Sequence, residues 1–162
     1  MADPRVTRRE LLAAAAAAGV ACAWPWDEAE AQGFLANLAP EEPVEATLKR
    51  LFAGRPVRDG SAAMTFEAPL IAEDGGNVPV AIEIKSPMTP QSHVKAIYII
   101  SDRNRRPLNA KFNLTPAMGQ AYVGTNLRLG ESTEVRAVVE MSDGTLLQAK
   151  REVKVTVGGC GG

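Results

Sequence analysis

The sequence holds two cysteines, Cys22 and Cys160. Cys160 stands in "GGCGG", flanked by Gly158, Gly159, Gly161 and Gly162, directly after the β-branched run "VKVTV". A thiol is a nucleophile and a redox handle that can form disulfides, persulfides and higher adducts. Glycine has no Cβ and takes either sign of φ, so the five residues 158–162 read as a thin, pliable arm. Three extended residues beyond Val157 reach roughly 10 Å, enough to enter a narrow pocket on another protein. No cation or helix N-terminus lies near this thiol in sequence, and the carboxylate of Gly162 disfavours a thiolate. Its pKa is therefore expected at or above the ordinary value of about 8.5. Such a thiol is a handle activated by partners, not a self-sufficient catalyst. On this view valine at Gly159 or Gly161 slows turnover but leaves stability nearly unchanged. A disordered chain end is the plainer reading, but a lone cysteine in an exported protein invites oxidation.

Little else in the sequence offers chemistry. His93 is the single histidine and sits in "TPQSHVK", which reads as an exposed loop before a strand. No Cys/His group has zinc spacing, and no acidic run has calcium-loop spacing. "EDGGN" (73–77) is too short to cradle phosphates, and no nucleophile elbow accompanies the histidine. "DRNRR" (102–106) reads either as a solvated turn or as a docking patch for an acidic partner. The charge is almost balanced, with 18 Lys+Arg against 19 Asp+Glu, which argues against nucleic acid. No catalytic residue, metal or cofactor is expected.

The arm must be held by something exported and folded. "RVTRRELLAAAAAAGVACAW" has arginines followed by an apolar run, and "AEAQ" supplies an A-x-A cleavage pattern. Residues 1–31 are therefore expected to be a signal peptide cut after Ala31. Arg8 and Arg9 with the leucines that follow suggest a twin-arginine signal, hence a folded passenger delivered to the periplasm. The apolar run of about fourteen residues is too short to span a membrane. Cys22 leaves with this segment, because Gly19 is a poor match to a lipoprotein signal. Residues 1–31 contain three basic and five acidic side chains, so the remainder carries 15 and 14. It also keeps one cysteine, which has no partner within the chain.

Residues 32–157 read as one all-β domain with a single N-terminal helix. "PEEPVEATLKRLFAG" predicts a helix over about 41–53, with Val44, Leu48, Leu51 and Phe52 on one face and Gly54 as the cap. Beyond Gly54 the period changes to 2. Strands are predicted over 63–72, 78–86, 94–102, 109–115, 119–129, 133–141 and 145–157, with a bend or bulge at Gly124 and a hairpin through "SDG". Seven short strands with polar turns and no intervening helices point to an immunoglobulin-like antiparallel sandwich.

"SDG" followed by "VKVTVGGCGG", with the N-terminal helix, "VKAIYII", "NAKFNLTPAMGQAYVGTNLRL" and the twin-arginine signal, resembles the SoxY family. These are the sulfur-carrier subunits of bacterial thiosulfate oxidation. The resemblance implies a periplasmic carrier, not an enzyme, with substrate held covalently on Cys160 and the glycines as a swinging arm. It implies a SoxZ-like subunit as heterodimer partner. A SoxAX-like haem enzyme would load thiosulfate, a SoxB-like hydrolase would release sulfate, and some systems add a sulfur dehydrogenase. It implies neither nucleic acid nor a membrane anchor. Two other readings stay open. One is an exported structural sandwich that dimerises through a Cys160 disulfide. The other is a diglycine carrier that bears sulfur on the Gly162 carboxylate, which the export signal and the cysteine disfavour.

Overall fold

The computed structural model describes residues 41–159, so the expected signal with Arg8 and Arg9, and Cys160, Gly161 and Gly162, lie outside the described residues. Among the described residues one α-helix, α1 (Val44–Phe52), precedes nine strands. These are β1 (Val57–Asp59), β2 (Met64–Glu67), β3 (Ile71–Asp74), β4 (Val78–Ile84), β5 (Val94–Ser101), β6 (Leu108–Asn113), β7 (Ala121–Leu127), β8 (Thr133–Met141) and β9 (Leu146–Val157). The larger sheet runs β1-β9-β8-β5-β6, with β3 also on β9, and the smaller runs β2-β4-β7.

The sandwich core follows from the period-2 pattern. Val78, Val80, Ile82 and Ile84 of β4 share one cluster with Ile97, Ile99, Val135 and Val139 of the larger sheet. The other face of that sheet is also apolar: Ala96, Tyr98, Ile100, Val138 and Leu146 form a second cluster around Phe52. The helix therefore packs its predicted face, Val44, Leu48, Leu51 and Phe52, onto the outside of the sandwich. Phe52 meets Tyr98 edge-on, with ring centroids 5.1 Å apart. β5 is consequently buried on both faces, which explains its nearly unbroken run of apolar residues.

Three expectations need correction. The predicted strand 63–72 is two strands in different sheets, because Pro69 lacks a backbone donor and restricts the residue before it. β2 crosses to the smaller sheet, while β1 and β3 both lie along the outer edge of β9 and pair with it in parallel. The remaining pairs are antiparallel as expected. Gly124 makes neither bend nor bulge: it pairs in register with Ala81. Its missing side chain instead leaves room for the Tyr122 hydroxyl, 3.1 Å from where a Cβ would stand.

The helix ends one residue earlier than its expected cap. Ala53 takes the left-handed conformation at φ 51° and donates its N–H to Lys49 O at 2.8 Å. That conformation costs a non-glycine residue roughly 1–2 kcal/mol, part of which glycine would return through its freer unfolded chain. Ala53 is exposed, so no packing is lost on substitution. Ala53→Gly is expected to raise stability by up to about 1 kcal/mol, read as a higher urea midpoint.

A buried polar pair ties the helix end to the sheet. Glu140, 8 % exposed, accepts from the Tyr98 hydroxyl at 3.0 Å and from Arg55 at 3.2 Å, with Lys95 at 3.7 Å. Burial alone would push its pKa up, but the Tyr98 and Arg55 hydrogen bonds and the nearby cations win and hold it below the ordinary 4.5. Burial and then the Glu140 carboxylate raise Tyr98 above its ordinary 10.0. A depressed carboxylate contributes stability that is full above pH 4.5 and is lost as pH falls through the folded value. A raised phenol contributes stability that is full below pH 10.0 and is lost as pH rises through the folded value. The unfolding midpoint should therefore decline on both sides of a neutral plateau. Tyr98→Phe should flatten both limbs, and an unchanged profile in that variant would remove this pair as their source.

Candidate functional site at the root of the glycine arm

β9 is the longest strand among the described residues and delivers the chain to Gly158 between two loops. One is the β3–β4 turn, in which Asp74 accepts from the Gly76 N–H at 2.7 Å. The other is the β7–β8 loop, whose Leu129 is fully buried. A chain of backbone hydrogen bonds joins these pieces. Gly75 N–H donates to Val157 O at 2.7 Å, Leu129 N–H donates to Gly75 O at 2.7 Å, and Gly159 N–H donates to Leu129 O at 3.0 Å.

Glycine is required here for proximity. A Cβ on Gly75 would strike the Leu129 carbonyl oxygen, and one on Gly158 would strike the Gly130 carbonyl oxygen. At Gly159 it would stand 2.7 Å from the Gly75 carbonyl and from Gly76 Cα, closer than real side chains come. Gly158 and Gly159, the first two residues of the expected arm 158–162, therefore lie against the sandwich in this structure. This placement reverses the expectation that valine at Gly159 leaves stability untouched, since backbone would have to move.

The β7–β8 loop is itself braced. Asn104, 7 % exposed, donates its side-chain amide to Arg128 O at 2.7 Å and accepts from Gly130 N–H at 3.2 Å. Asn104 belongs to the "DRNRR" turn, whose residues also hold neighbouring elements. Asp102 holds Arg136 through two contacts of 2.6 and 2.5 Å, Arg103 faces Glu131 at 3.8 Å, and Arg105 O accepts from Glu42 N–H at 3.1 Å. Sequence reasoning does not find Asn104, Gly75, Gly76 or Gly130 as parts of this site. Their one signal is glycine in two turns, Gly75 and Gly76 in one and Gly130 in the other, a residue type that permits close backbone approach.

The other candidates do not join the site. His93 is half-buried in the loop before β5, its Nδ1 3.1 Å from Thr89 O. Among the described residues no group of three His, Cys, Asp or Glu side chains could hold a metal ion.

Comparison with known proteins agrees with this architecture. The chain is similar to the sulfur carrier protein SoxY of Chlorobium limicola f thiosulfatophilum, at 31% identity and a TM-score of 0.58, over 70% of this chain and 96% of that one. It shares only its fold with superoxide reductase (neelaredoxin) of Ignicoccus hospitalis, at 18% identity and a TM-score of 0.51, over 57% of this chain and 80% of that one. No curated protein sequence matches the chain. The family described as sulfur oxidation protein SoxY matches residues 48–160, from within α1 to the cysteine itself. With that match spanning the sandwich and its glycine arm, the chain belongs to the SoxY family.

Proposed function

We propose that this protein is a covalent sulfur carrier of thiosulfate oxidation, with Cys160 as the attachment point and no catalysis of its own. The observation that carries the reading is the family match, which ends on Cys160, the single cysteine beyond residue 31. Loading joins the Cys160 sulfur to the sulfane sulfur of thiosulfate. One S–S bond forms, one proton leaves the thiol, and two electrons pass to a SoxAX-like haem enzyme. Water then displaces the terminal sulfone as sulfate in a SoxB-like hydrolase, leaving a persulfide on Cys160. A sulfur dehydrogenase, where one is present, would oxidise that sulfur for a further round. The proposal includes a SoxZ-like partner subunit and export to the periplasm by the twin-arginine route through Arg8 and Arg9.

The seat described above suits this work: it holds the arm by its root while leaving Cys160 next in line. Intact-mass analysis of protein taken from thiosulfate-oxidising cells tests the reading. Sulfane sulfur or a thiosulfonate on the peptide containing Cys160 is the expected result. A thiocarboxylate on Gly162, or only a Cys160–Cys160 disulfide that thiosulfate and partner enzymes never alter, would overturn it.

A further inference from the structure

On the carrier reading of Cys160, on which this rests, we infer that the β3–β4 and β7–β8 loops latch the root of the arm and that Asn104 is the positioning residue that sets the latch. The tether then has a short docked form, held through Gly159, and a long released form that starts at Val157.

The geometry makes the two halves of the latch unequal. The loop side is heavily braced: Leu129 is buried, Gly75 bonds both Leu129 and Val157, and Asn104 spans the loop from Arg128 O to Gly130 N–H. Asn104 is anchored in turn, since its amide lies 3.5 Å from Asn109 Oδ1 and Asn109 donates to Ser101 Oγ at 3.0 Å. The tail side is light. Among the described residues beyond Val157 it is held by one backbone hydrogen bond, Gly159 N–H to Leu129 O, at a half-buried residue. One net hydrogen bond is worth about fivefold in an equilibrium, so docked and released forms can exchange without unfolding the sandwich.

The difference in reach is large on the scale of a pocket. With Gly159 held, Cys160 is attached one Cα–Cα step of about 3.8 Å beyond the seat. Released, the tether gains Gly158 and Gly159, about 7 Å more. A docked thiol stays within one residue of the carrier's own surface, and a released one can enter a deep site on a partner. Asn104 acts on this through the loop, by keeping Leu129 O where Gly159 N–H meets it.

Amide exchange at residue 159 in the full mature protein tests the latch, read beside the reaction of Cys160 with a polymer-tagged maleimide and with iodoacetamide. In the unaltered protein the Gly159 amide should exchange about fivefold more slowly than free chain. Gly159→Ala and Asn104→Ala should each lose that protection and speed the bulky reagent over the small one by about fivefold. Urea unfolding is followed in parallel. If Asn104→Ala fails to fold, Gly159→Ala decides. Exchange at the free-chain rate in the unaltered protein overturns the latch, as does retained protection with an unchanged reagent ratio in the folded variants. Failure of the carrier reading looks different: the latch persists, but no sulfur is found on Cys160.

Discussion

Cys160→Ser should leave a folded protein that carries no sulfur at all. Gly158 and Gly159, the described residues beyond Val157, have no side chains, and both apolar clusters are built from residues of the sandwich and helix, so the substituted protein is expected to keep its fold. Its effect on unfolding should stay within about 0.5 kcal/mol, as for surface changes away from special features. The chemistry, by contrast, has no substitute. A serine hydroxyl cannot form the S–S bond that loading requires, and Cys22 lies in the segment expected to be removed on export. Thiosulfate-dependent electron transfer in a reconstituted system should fall to background, with intact mass showing no sulfur adduct. Turnover that persisted in the serine variant would place the attached sulfur elsewhere and end the carrier reading of Cys160.

How far the sequence reaches depends on the range of the interaction. α1 is legible because Val44, Leu48, Leu51 and Phe52 recur at helical spacing, and all four pack where that spacing puts them. β8 occupies Thr133–Met141 as predicted, since its alternation and the "SDG" turn are local signals. β1 is not legible because three residues, Val57–Asp59, are too few to show a period. Its pairing partner lies near the other end of the domain, as Val57 faces Leu146. The parallel pairing of β1 and β3 with β9 is illegible for the same reason: composition carries no strand direction. Pro69 does carry the break between β2 and β3, but the apolar residues on either side mask it. The arm divides along the same line. That "GGCGG" is thin follows from the residues themselves. That its first two glycines are seated follows only from Gly75, Gly130 and Leu129 being brought together by the fold.

The seat gives the arm's length a sharper meaning, and deleting Gly158 and Gly159 together exposes it. The deletion joins Val157 to Cys160, which then occupies the place of Gly158. A Cβ in that place runs into the Gly130 carbonyl oxygen, so the cysteine must pull away from the β7–β8 loop. Gly161 takes over the position of Gly159, and the chain beyond Val157 is shorter by two residues, a loss of reach of up to about 7 Å. Misplacing a reacting group by even about 1 Å can cost about 100-fold, so turnover with partner enzymes should fall by at least that order. Stability should drop by no more than about 1 kcal/mol, the worth of the Gly159 hydrogen bond. The free thiol should still titrate fully. Valine at Gly159 should fall between this deletion and the unaltered protein in turnover, because it disrupts the seat but keeps the length. Adding two glycines after Gly159 in the unaltered chain keeps both seat and reach, and should preserve turnover. A deletion variant that turned over at the unaltered rate would show that Cys160 reacts at the carrier's own surface, and the tether would then have no mechanical role.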